Sequence, residues 1–271
     1  MTSSTPPQTD LADNRLAEDG HGARMSLFEH FDELRQRIMY GFIAAIAGTL
    51  IGSLFAGQVL GYLAKPYLSL REGSRLQIID PTGTVVAYFR VALLIGLTIA
   101  IPILTYQLVM FLLPALDRRQ RRFFLSALPA AFLLFLVGLS FAWFVLIPPA
   151  LTFLQGFQEG IFVTEWEAGR YITFVTSLLF WIGLAFETPL VLFILSLMGF
   201  VTPRPLIKNW RLAVVISAVA AAMITPTIDP VNMFLVMGPL MVLYVISIGL
   251  VAIGIRLYRR RIGNPNYGKP A

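Results

Sequence analysis

The feature that most constrains this chain is a series of long apolar runs with almost no charge. Six of them lie at about 38–64, 91–116, 123–158, 171–203 (interrupted by one Glu), 212–228 and 230–255. A helix needs about 20 apolar residues to cross the hydrocarbon core of a bilayer. Lipid offers no partner to an unpaired backbone group, so such runs fold as helices. We therefore predict an all-α integral membrane protein with six transmembrane helices.

Two of these runs depart from the ordinary length of a span. Pro226 limits the fifth helix to about 210–224, which is short for a full crossing. The fourth run, from Tyr171 to Phe200, is longer than a crossing needs, so its helix must tilt or kink. Pro189 lies inside this run and removes one backbone N–H, which favours a bend at that point.

The basic residues predict the orientation of the spans. Sixteen of the 21 Lys and Arg residues lie in the N-terminal arm, the 117–122 loop, the 204–211 connection and the C-terminal tail. These segments alternate along a six-span chain, and Lys and Arg accumulate on the cytoplasmic side of membrane proteins. We therefore expect both termini in the cytoplasm. The same placement favours topology anchors over nucleic-acid binding as the reason for the net charge of +6.

The domain prediction follows from the same pattern. Residues 1–25 form a polar, disordered arm without the apolar core of a cleavable signal peptide, 26–257 the six-span membrane domain, and 258–271 a basic cytoplasmic tail. Within the membrane domain, 26–37 is predicted as an amphipathic helix on the membrane surface, with Phe31 and Ile38 on its apolar stripe. Two connections, at about 65–84 and 148–170, are long enough to cover the bundle. The second is expected to begin at Pro148-Pro149.

Several kinds of chemistry have no support in the sequence. The chain has no cysteine and only two histidines, and it lacks a glycine-rich phosphate-binding loop and a nucleophile–base pair. We therefore expect no catalytic residues, no metal and no cofactor, and a protein that is not an enzyme. A secondary transporter stays open as an alternative, although it would need several charges inside the membrane and the runs offer chiefly Glu187.

Three acidic residues invite both a functional and a structural interpretation. Glu187 lies near the middle of the fourth span, where a carboxylate is costly and is by default a functional candidate, although a buried packing role is the alternative. Glu33 forms an ordinary i,i+4 pair with Arg37 on a helix. Asp229 is predicted to cap the last helix, with Pro230 at its first position.

An ordered set of motifs then resembles one known family. The segment His30-Phe31-Asp32-Glu33-Leu34-Arg35-Gln36-Arg37 resembles the H-x-x-E-L-R-x-R signature of TatC, the multispanning subunit of the twin-arginine (Sec-independent) protein translocase. The resemblance continues through Ile101-Pro102, Tyr106-Gln107, Phe111-Leu112-Leu113-Pro114-Ala115-Leu116, Gly183 to Pro189, and the Thr225-Pro226 to Asp229-Pro230 turn. Together these motifs cover about residues 26–255.

The resemblance implies a fold, a location and a role. The fold is a cup-shaped bundle of six helices whose last two are short, in the cytoplasmic (inner) membrane. The role is that of receptor and core scaffold, which binds the twin-arginine signal peptide of folded precursor proteins at the cytoplasmic face. Proton-motive force drives the export. The implied partners are single-span proteins of the TatA and TatB type, membrane lipid and further copies of the chain, with no nucleic acid.

The resemblance also assigns two sets of site residues. The signal-peptide-binding set is Glu33, Leu34, Arg35, Phe111, Asp117 and Gln120. The partner-helix-binding set is Glu187, Pro189, Thr225, Asp229 and Met233. Two positions depart from the family pattern. Gln120 stands where the family has a second carboxylate, with Asp117 as a possible substitute, and Met233, beside Asn232, stands where a Gln is frequent. The second departure is compatible with a system that has a single TatA-like partner.

Overall fold

The computed structural model describes residues 27–69, 76–112, 127–157, 166–225 and 229–262, and these residues are almost entirely helical. The helices are α1 (Leu27–Leu68), α2 (Gly83–Leu112), α3 (Ala127–Phe141), α4 (Ile147–Gly156), α5 (Ala168–Leu197), α6 (Pro203–Lys208), α7 (Trp210–Ile224) and α8 (Pro230–Ile262). A π-helical turn, Ala142–Leu146, joins α3 to α4, and we call these three pieces the third span. The described residues contain no strand beyond one isolated bridge between Gln77 and Glu167.

The described helices include five that are long and apolar enough to cross a membrane. The remaining apolar helix, α7, has 15 residues. At 1.5 Å per residue it spans about 22 Å, less than the roughly 30 Å of a bilayer core. The prediction of an all-helical membrane protein with a short fifth helix is therefore confirmed.

The sixth helix is not short, and this part of the family-based expectation is wrong. Helix α8 runs for 33 residues from Pro230 to Ile262, which corresponds to about 50 Å. The reason lies at the end of its apolar stretch. Residues 255–262 contain neither Gly nor Pro, so nothing interrupts the helix before Gly263. The helix therefore continues past 257, where the basic tail was predicted to begin.

The surface helix predicted at 26–37 is also not a separate element. Helix α1 runs without interruption from Leu27 to Leu68, and residues 27–40 contain neither Gly nor Pro that could end a helix after Arg37. Phe31 and Ile38, which were expected to share an apolar stripe, are 67% and 62% exposed. The predicted surface helix is therefore the first part of the same helix that forms the first span.

The connection after the third span begins later than predicted. Pro148 and Pro149 lie in the first turn of α4, which continues to Gly156. Proline is compatible with the first turn of a helix, where its missing N–H has no intrahelical acceptor. The π turn directly before α4 supplies a local change of hydrogen-bonding register at this point. The pair of prolines therefore marks a change within a helix and not its end.

Helix α5 lies at the centre of the bundle and packs against α1, α2, α3, α7 and α8. We call the side of the bundle that carries Leu27 and Ile262 the terminal face, and the side that carries Ser69 and Phe157 the distal face. The main buried cluster lies in the distal half, and includes Leu63, Val91, Leu146, Val175 and Val236. The terminal half holds a smaller cluster around Val109 and Ile194. The bundle is therefore packed most extensively near its distal face.

The described parts of the two distal connections are joined to each other and to α1. Gln77 donates its backbone N–H to the carbonyl of Trp166 at 2.9 Å and accepts from the N–H of Ala168 at 2.8 Å. Tyr67 stacks on Trp166 with ring centroids 5.1 Å apart. The Tyr171 hydroxyl donates to the carbonyl of Leu63 at 2.7 Å. These contacts hold the start of α5 against the end of α1.

Helices α1 and α2 form an antiparallel hairpin in which the two backbones touch. A Cβ built on Gly96 would lie 2.3 Å from the backbone nitrogen of Thr49, and one on Gly48 would lie 2.4 Å from the carbonyl oxygen of Gly96. Gly52 meets the carbonyl of Ala92 at the same 2.4 Å. The Gly48-x-x-x-Gly52 motif therefore serves close packing within the chain, as such motifs do between membrane helices.

Candidate functional site

The first candidate site lies where α1 and α2 meet at the terminal face. Glu33 and Arg37 are one turn apart on α1, so both point towards the same side of the helix. The Nε of Arg37 donates to Oε1 of Glu33 at 2.9 Å, and its Nη2 donates to the same oxygen. The Nη1 of Arg37 lies 3.5 Å from Oε1 of Gln107 on α2. The hairpin thus orients the carboxylate of Glu33 towards α2.

Glu33 retains an unused oxygen in this arrangement. Its side chain is 18% exposed, and its Oε2 is buried without a hydrogen-bond partner among the described residues. An ionised carboxylate has about four lone-pair sites on two oxygens. Arg37 occupies only Oε1, so Glu33 can accept hydrogen bonds from a second cationic donor without losing the first. A guanidinium group, with its planar fork of N–H donors, fits such an acceptor best.

The other predicted signal-peptide residues divide into three groups. Leu34 and Phe111 are half-buried, and Phe111 lies one helical turn after Gln107 on α2, close to the Glu33 site. Arg35 is exposed and lines a separate cleft of about 350 Å³ with Asp32 and Gln36 on the other side of α1. Asp117 and Gln120 lie outside the described residues.

Two residues of this site were not predicted as functional from the sequence. Arg37 was noted as the partner of Glu33 and as the last residue of the family signature, and Gln107 only as part of a family motif. The structure brings them together across α1 and α2. Residues 70 positions apart give no periodic signal of such a contact, although both lie within the segments that resemble the family.

The second candidate site is Glu187, inside the membrane-spanning part of α5. The carboxyl group is buried, and its Oε1 has no hydrogen-bond partner among the described residues. One turn earlier, Gly183 contacts α3 so closely that a Cβ on Gly138 would lie 2.8 Å from the Cα of Gly183. The backbone of Phe135, on α3, approaches the Glu187 carboxyl group. Glu187 therefore lies at a tight α3–α5 interface.

The third candidate site is the turn between α7 and α8 at the distal face. Asp229 caps α8, because its Oδ1 accepts the backbone N–H of Asn232 at 2.7 Å, and Pro230 is the first residue of the helix. The cap predicted from the sequence is therefore confirmed. The hydroxyl of Thr225 donates to the carbonyl of Ala221 at 2.8 Å. Met233 is half-buried and packs against the main buried cluster.

Asn232 is a polar feature of this turn that the sequence analysis mentioned only as a neighbour of Met233. Its side chain is 1% exposed. Its Nδ2 donates to Oδ2 of Asp229 at 2.9 Å, and its Oδ1 has no partner among the described residues. A buried amide oxygen left in this state can accept a donor from another helix at modest cost.

The predicted partner-helix residues therefore occupy two places. Glu187 lies at the α3–α5 interface, with Pro189 buried half a turn further along α5. Thr225, Asp229 and Met233 lie at the distal turn, beside the cluster that α5 builds with its residues 171–182. About five to sixteen residues of α5 separate Glu187 from that cluster, which is roughly 7–24 Å along the helix axis.

Comparison with known proteins points to one family. The profile of the family described as "Sec-independent protein translocase protein (TatC)" matches residues 29–239. The chain is 32% identical over 242 residues to the Sec-independent protein translocase protein TatC of Synechocystis sp., and the matched region covers 89% of this chain and 94% of that protein. Its counterpart in Aquifex aeolicus is 36% identical over 228 residues, with 83% and 94% covered.

A longer plant relative and a solved structure agree with this result. The chloroplastic TATC protein of Arabidopsis thaliana is 34% identical over 220 residues, and the match covers 81% of this chain but only 64% of that protein. A crystal structure described as the twin-arginine translocase receptor TatC superposes with a TM-score of 0.76 at 36% identity. It covers 83% of this chain and 99% of the solved one.

Proposed function

The chain belongs to the TatC family of Sec-independent protein translocase proteins, and from this membership we propose that it is the receptor and core scaffold of a twin-arginine translocase. In this proposal the terminal face is cytoplasmic, the protein lies in the inner membrane, and both termini are in the cytoplasm. It binds the twin-arginine signal peptide of folded precursors and recruits single-span TatA- and TatB-type proteins, with export driven by proton-motive force. Membership of a protein-translocase family argues against the alternative of a secondary transporter.

The observation that carries the receptor role is the unpartnered oxygen of Glu33. A carboxylate at the cytoplasmic mouth of the α1–α2 hairpin, 18% exposed and with Oε2 unpartnered, is an acceptor suited to an arginine of the signal peptide once the peptide displaces the groups that cover this oxygen. Arg37 orients the carboxylate from one side through its hydrogen bonds to Oε1. Leu34 and Phe111 supply apolar surface beside it. Lysine lacks the planar fork, so a Lys-Lys signal should bind more weakly.

Photocrosslinking in membranes tests this site directly. A photoreactive phenylalanine replaces Phe111, and a matched probe replaces Leu108, which lies on the same helix and is 45% exposed. We expect the probe at 111 to capture a precursor with an Arg-Arg signal and to lose it when the pair is Lys-Lys. The probe at 108 should capture neither. Equal capture of the two precursors at 111 would contradict the site.

A charge substitution separates Glu33 from the general charge of the N-terminal helix. Glu33→Gln removes the charged acceptor, and Asp32→Asn removes a neighbouring exposed carboxylate on the other side of α1. A hydrogen bond to a charged group is worth about 1.5–3 kcal/mol, so we expect Glu33→Gln to weaken precursor binding about tenfold or more. Asp32→Asn should change it less than twofold. The same loss in both variants would assign the effect to net charge.

We propose two contact points for partner helices, following the two places that the predicted residues occupy. One is the α3–α5 interface at Glu187, and the other is the distal turn with Thr225, Asp229 and Met233. Asn232, with its unpartnered oxygen, supports a polar contact at the second point. A photoreactive probe at Met233 is expected to capture a TatA- or TatB-type protein. A probe at Val242, further along α8 and 59% exposed, should not.

A further inference from the structure

A lateral groove lies between α1 and the third span, and none of its lining residues belongs to the three candidate sites. Its volume is about 490 Å³, within the range of roughly 300–1,000 Å³ typical of ligand pockets. Helix α2 forms the floor, together with Leu179 of α5. The apolar side chains that line it include Val59, Leu94, Ile95, Ile99, Leu136 and Leu139. The lining of the groove therefore suits an apolar ligand.

The two hydroxyl groups in the groove do not need a hydrogen-bond partner from such a ligand. Thr98 donates to the carbonyl of Leu94 at 2.7 Å, and Ser140 donates to the carbonyl of Leu136 at 2.8 Å. Both bonds run back to the preceding turn of the same helix, as is usual for Ser and Thr inside helices. The long part of the groove is thus chemically matched to a hydrocarbon chain.

The distal mouth of the groove is different, because it combines two aromatic rings with a cation. Tyr62 of α1 stacks on Trp143 of the π turn with centroids 5.0 Å apart. The Nζ of Lys65 lies 5.2 Å from the centroid of the Tyr62 ring. Lys65 is exposed and has no carboxylate within ion-pair distance among the described residues. Tyr and Trp favour the level of lipid headgroups, and a lysine at that level attracts phosphate.

We propose that this groove binds one anionic phospholipid of the leaflet at the distal face. Its phosphate contacts Lys65, its glycerol region lies against Tyr62 and Trp143, and one acyl chain occupies the groove over α2. The occupant is assigned by charge complementarity at the mouth and by the apolar lining below it. The lipid fills the space between α1 and the third span, so it stabilises the position of the hairpin relative to α5.

The π turn explains why the groove has this mouth. A π-helical turn contains an extra residue relative to the surrounding α-helix, which shifts the side chains that follow it around the axis. Here it spans Ala142–Leu146 and presents Trp143 and Phe144 to the groove while Ala142 and Leu146 are buried. Such turns occur frequently at functional sites. The position of Trp143 at the distal mouth of the groove is therefore a consequence of this π turn.

Native mass spectrometry of the full chain in detergent tests the proposal. The protein is titrated with phosphatidylglycerol or with phosphatidylcholine of the same acyl chains, and the affinity for the first retained lipid is measured. We expect phosphatidylglycerol to bind several-fold more tightly. Lys65→Gln should reduce that preference about fivefold, as expected for loss of one lysine near a lipid phosphate. Arg170→Gln, a charge loss on the same face and outside the groove, should leave it unchanged.

A second variant tests the acyl-chain part of the site. Ile99→Trp fills the groove from a position that is 43% exposed, and it should weaken retention of both lipids. The unfolding temperature verifies that each variant is folded. If Ile99→Trp does not fold, the comparison of Lys65→Gln with Arg170→Gln still tests the lipid site. Equal affinity of the wild type for the two lipids, or an unchanged preference in Lys65→Gln, would overturn the proposal. An equal loss of the phosphatidylglycerol preference in Arg170→Gln would overturn the proposal too, because it would assign the preference to general surface charge.

Discussion

Two carboxylates, Glu33 and Glu187, each keep one oxygen without a hydrogen-bond partner in the described structure, yet their surroundings differ. Glu33 lies at the end of a hairpin, bonded to Arg37 and near water. Glu187 is buried between two packed helices inside a span. An ion pair near water costs little, whereas a polar group within a membrane helix is expensive. The unpartnered oxygen of Glu33 therefore fits the proposed binding role, whereas the unpartnered oxygen of Glu187 carries a cost in stability.

Replacing Glu187 tests that cost. A buried polar group without a partner costs about 1–3 kcal/mol, so we expect Glu187→Leu to raise the unfolding temperature while export activity falls. Thr176→Val is the matched control, because the buried hydroxyl of Thr176 already donates to the carbonyl of Ile172 at 2.6 Å. That variant should change stability little. A lower unfolding temperature for Glu187→Leu would mean that Glu187 is a packing residue with a partner of its own.

Gly199 ends α5 in a conformation that few other residues adopt. Its φ is +82°, its N–H donates to the carbonyl of Ser196 at 3.1 Å, and Phe200 donates to Leu195 at 3.1 Å, the pattern of a glycine C-cap. A Cβ there would also lie 2.8 Å from the Tyr258 ring. We expect Gly199→Ala to destabilise the fold by at least about 1–2 kcal/mol. Gly238→Ala, on a helix with open space around it, is the control in the same thermal unfolding measurement.

Asp80 makes the start of α2 sensitive to pH. The backbone N–H and the hydroxyl of Thr82 donate to its carboxylate at 3.0 and 2.8 Å, and these bonds lower the pKa of Asp80. A lowered folded-state pKa means that the stabilisation is present above the unfolded value of 3.8 and is lost as the pH falls through the folded value. Wild-type stability should therefore decline over this acid range more than that of Asp80→Asn. Parallel pH profiles of unfolding temperature would contradict this.

At the scale of elements, the α1–α2 hairpin determines where the proposed receptor site lies. Backbone contact at Gly48, Gly52 and Gly96 fixes the register of the two helices. That register brings Arg37 opposite Gln107 some turns away, at the terminal end of the same interface. A change at the glycines should consequently affect a binding site that contains no glycine.

Gly96→Ala tests this dependence. The new methyl group would meet the backbone of Thr49 at 2.3 Å, and backbone cannot move aside as a flexible side chain can. We expect a loss of stability of at least about 1–3 kcal/mol, as for overpacked cores, together with weaker precursor binding. Gly61→Ala is the control on α1, since nothing lies within 4 Å of its added Cβ. Unfolding temperature and precursor affinity are measured on both, and normal values for Gly96→Ala would disprove the close contact.

For the whole molecule, the proposed orientation places the terminal face in the cytoplasm. The chain has no cysteine, so single cysteines introduced on opposite faces report topology without background. Ser69→Cys lies on the distal face and Lys208→Cys on the terminal face, and both positions are exposed. In intact cells a membrane-impermeant maleimide should label position 69 at once and position 208 only after lysis. The reverse pattern would invert the proposed orientation.

The sequence by itself determined the class of the protein and the type of its elements. Long uncharged runs exclude a soluble fold, Pro226 and the length of its run predicted the short α7, and the Asp229-Pro230 pair predicted the cap of α8. These features are local, because each depends on residues within a few turns of one another. The ordered motifs likewise identified the family without reference to any contact in space.

The tertiary structure decided what depends on residues far apart in the chain. Gln107 faces Arg37 across 70 positions, and Arg35 points away from Glu33 although only two residues separate them. The predicted partner-helix residues divide between two places because α5 and the α7–α8 turn present them at different depths. Side-chain direction on a helix and the register between helices are set by packing. Residue types alone therefore locate candidate chemistry on a span, and the contacts between spans determine which of those residues share a site.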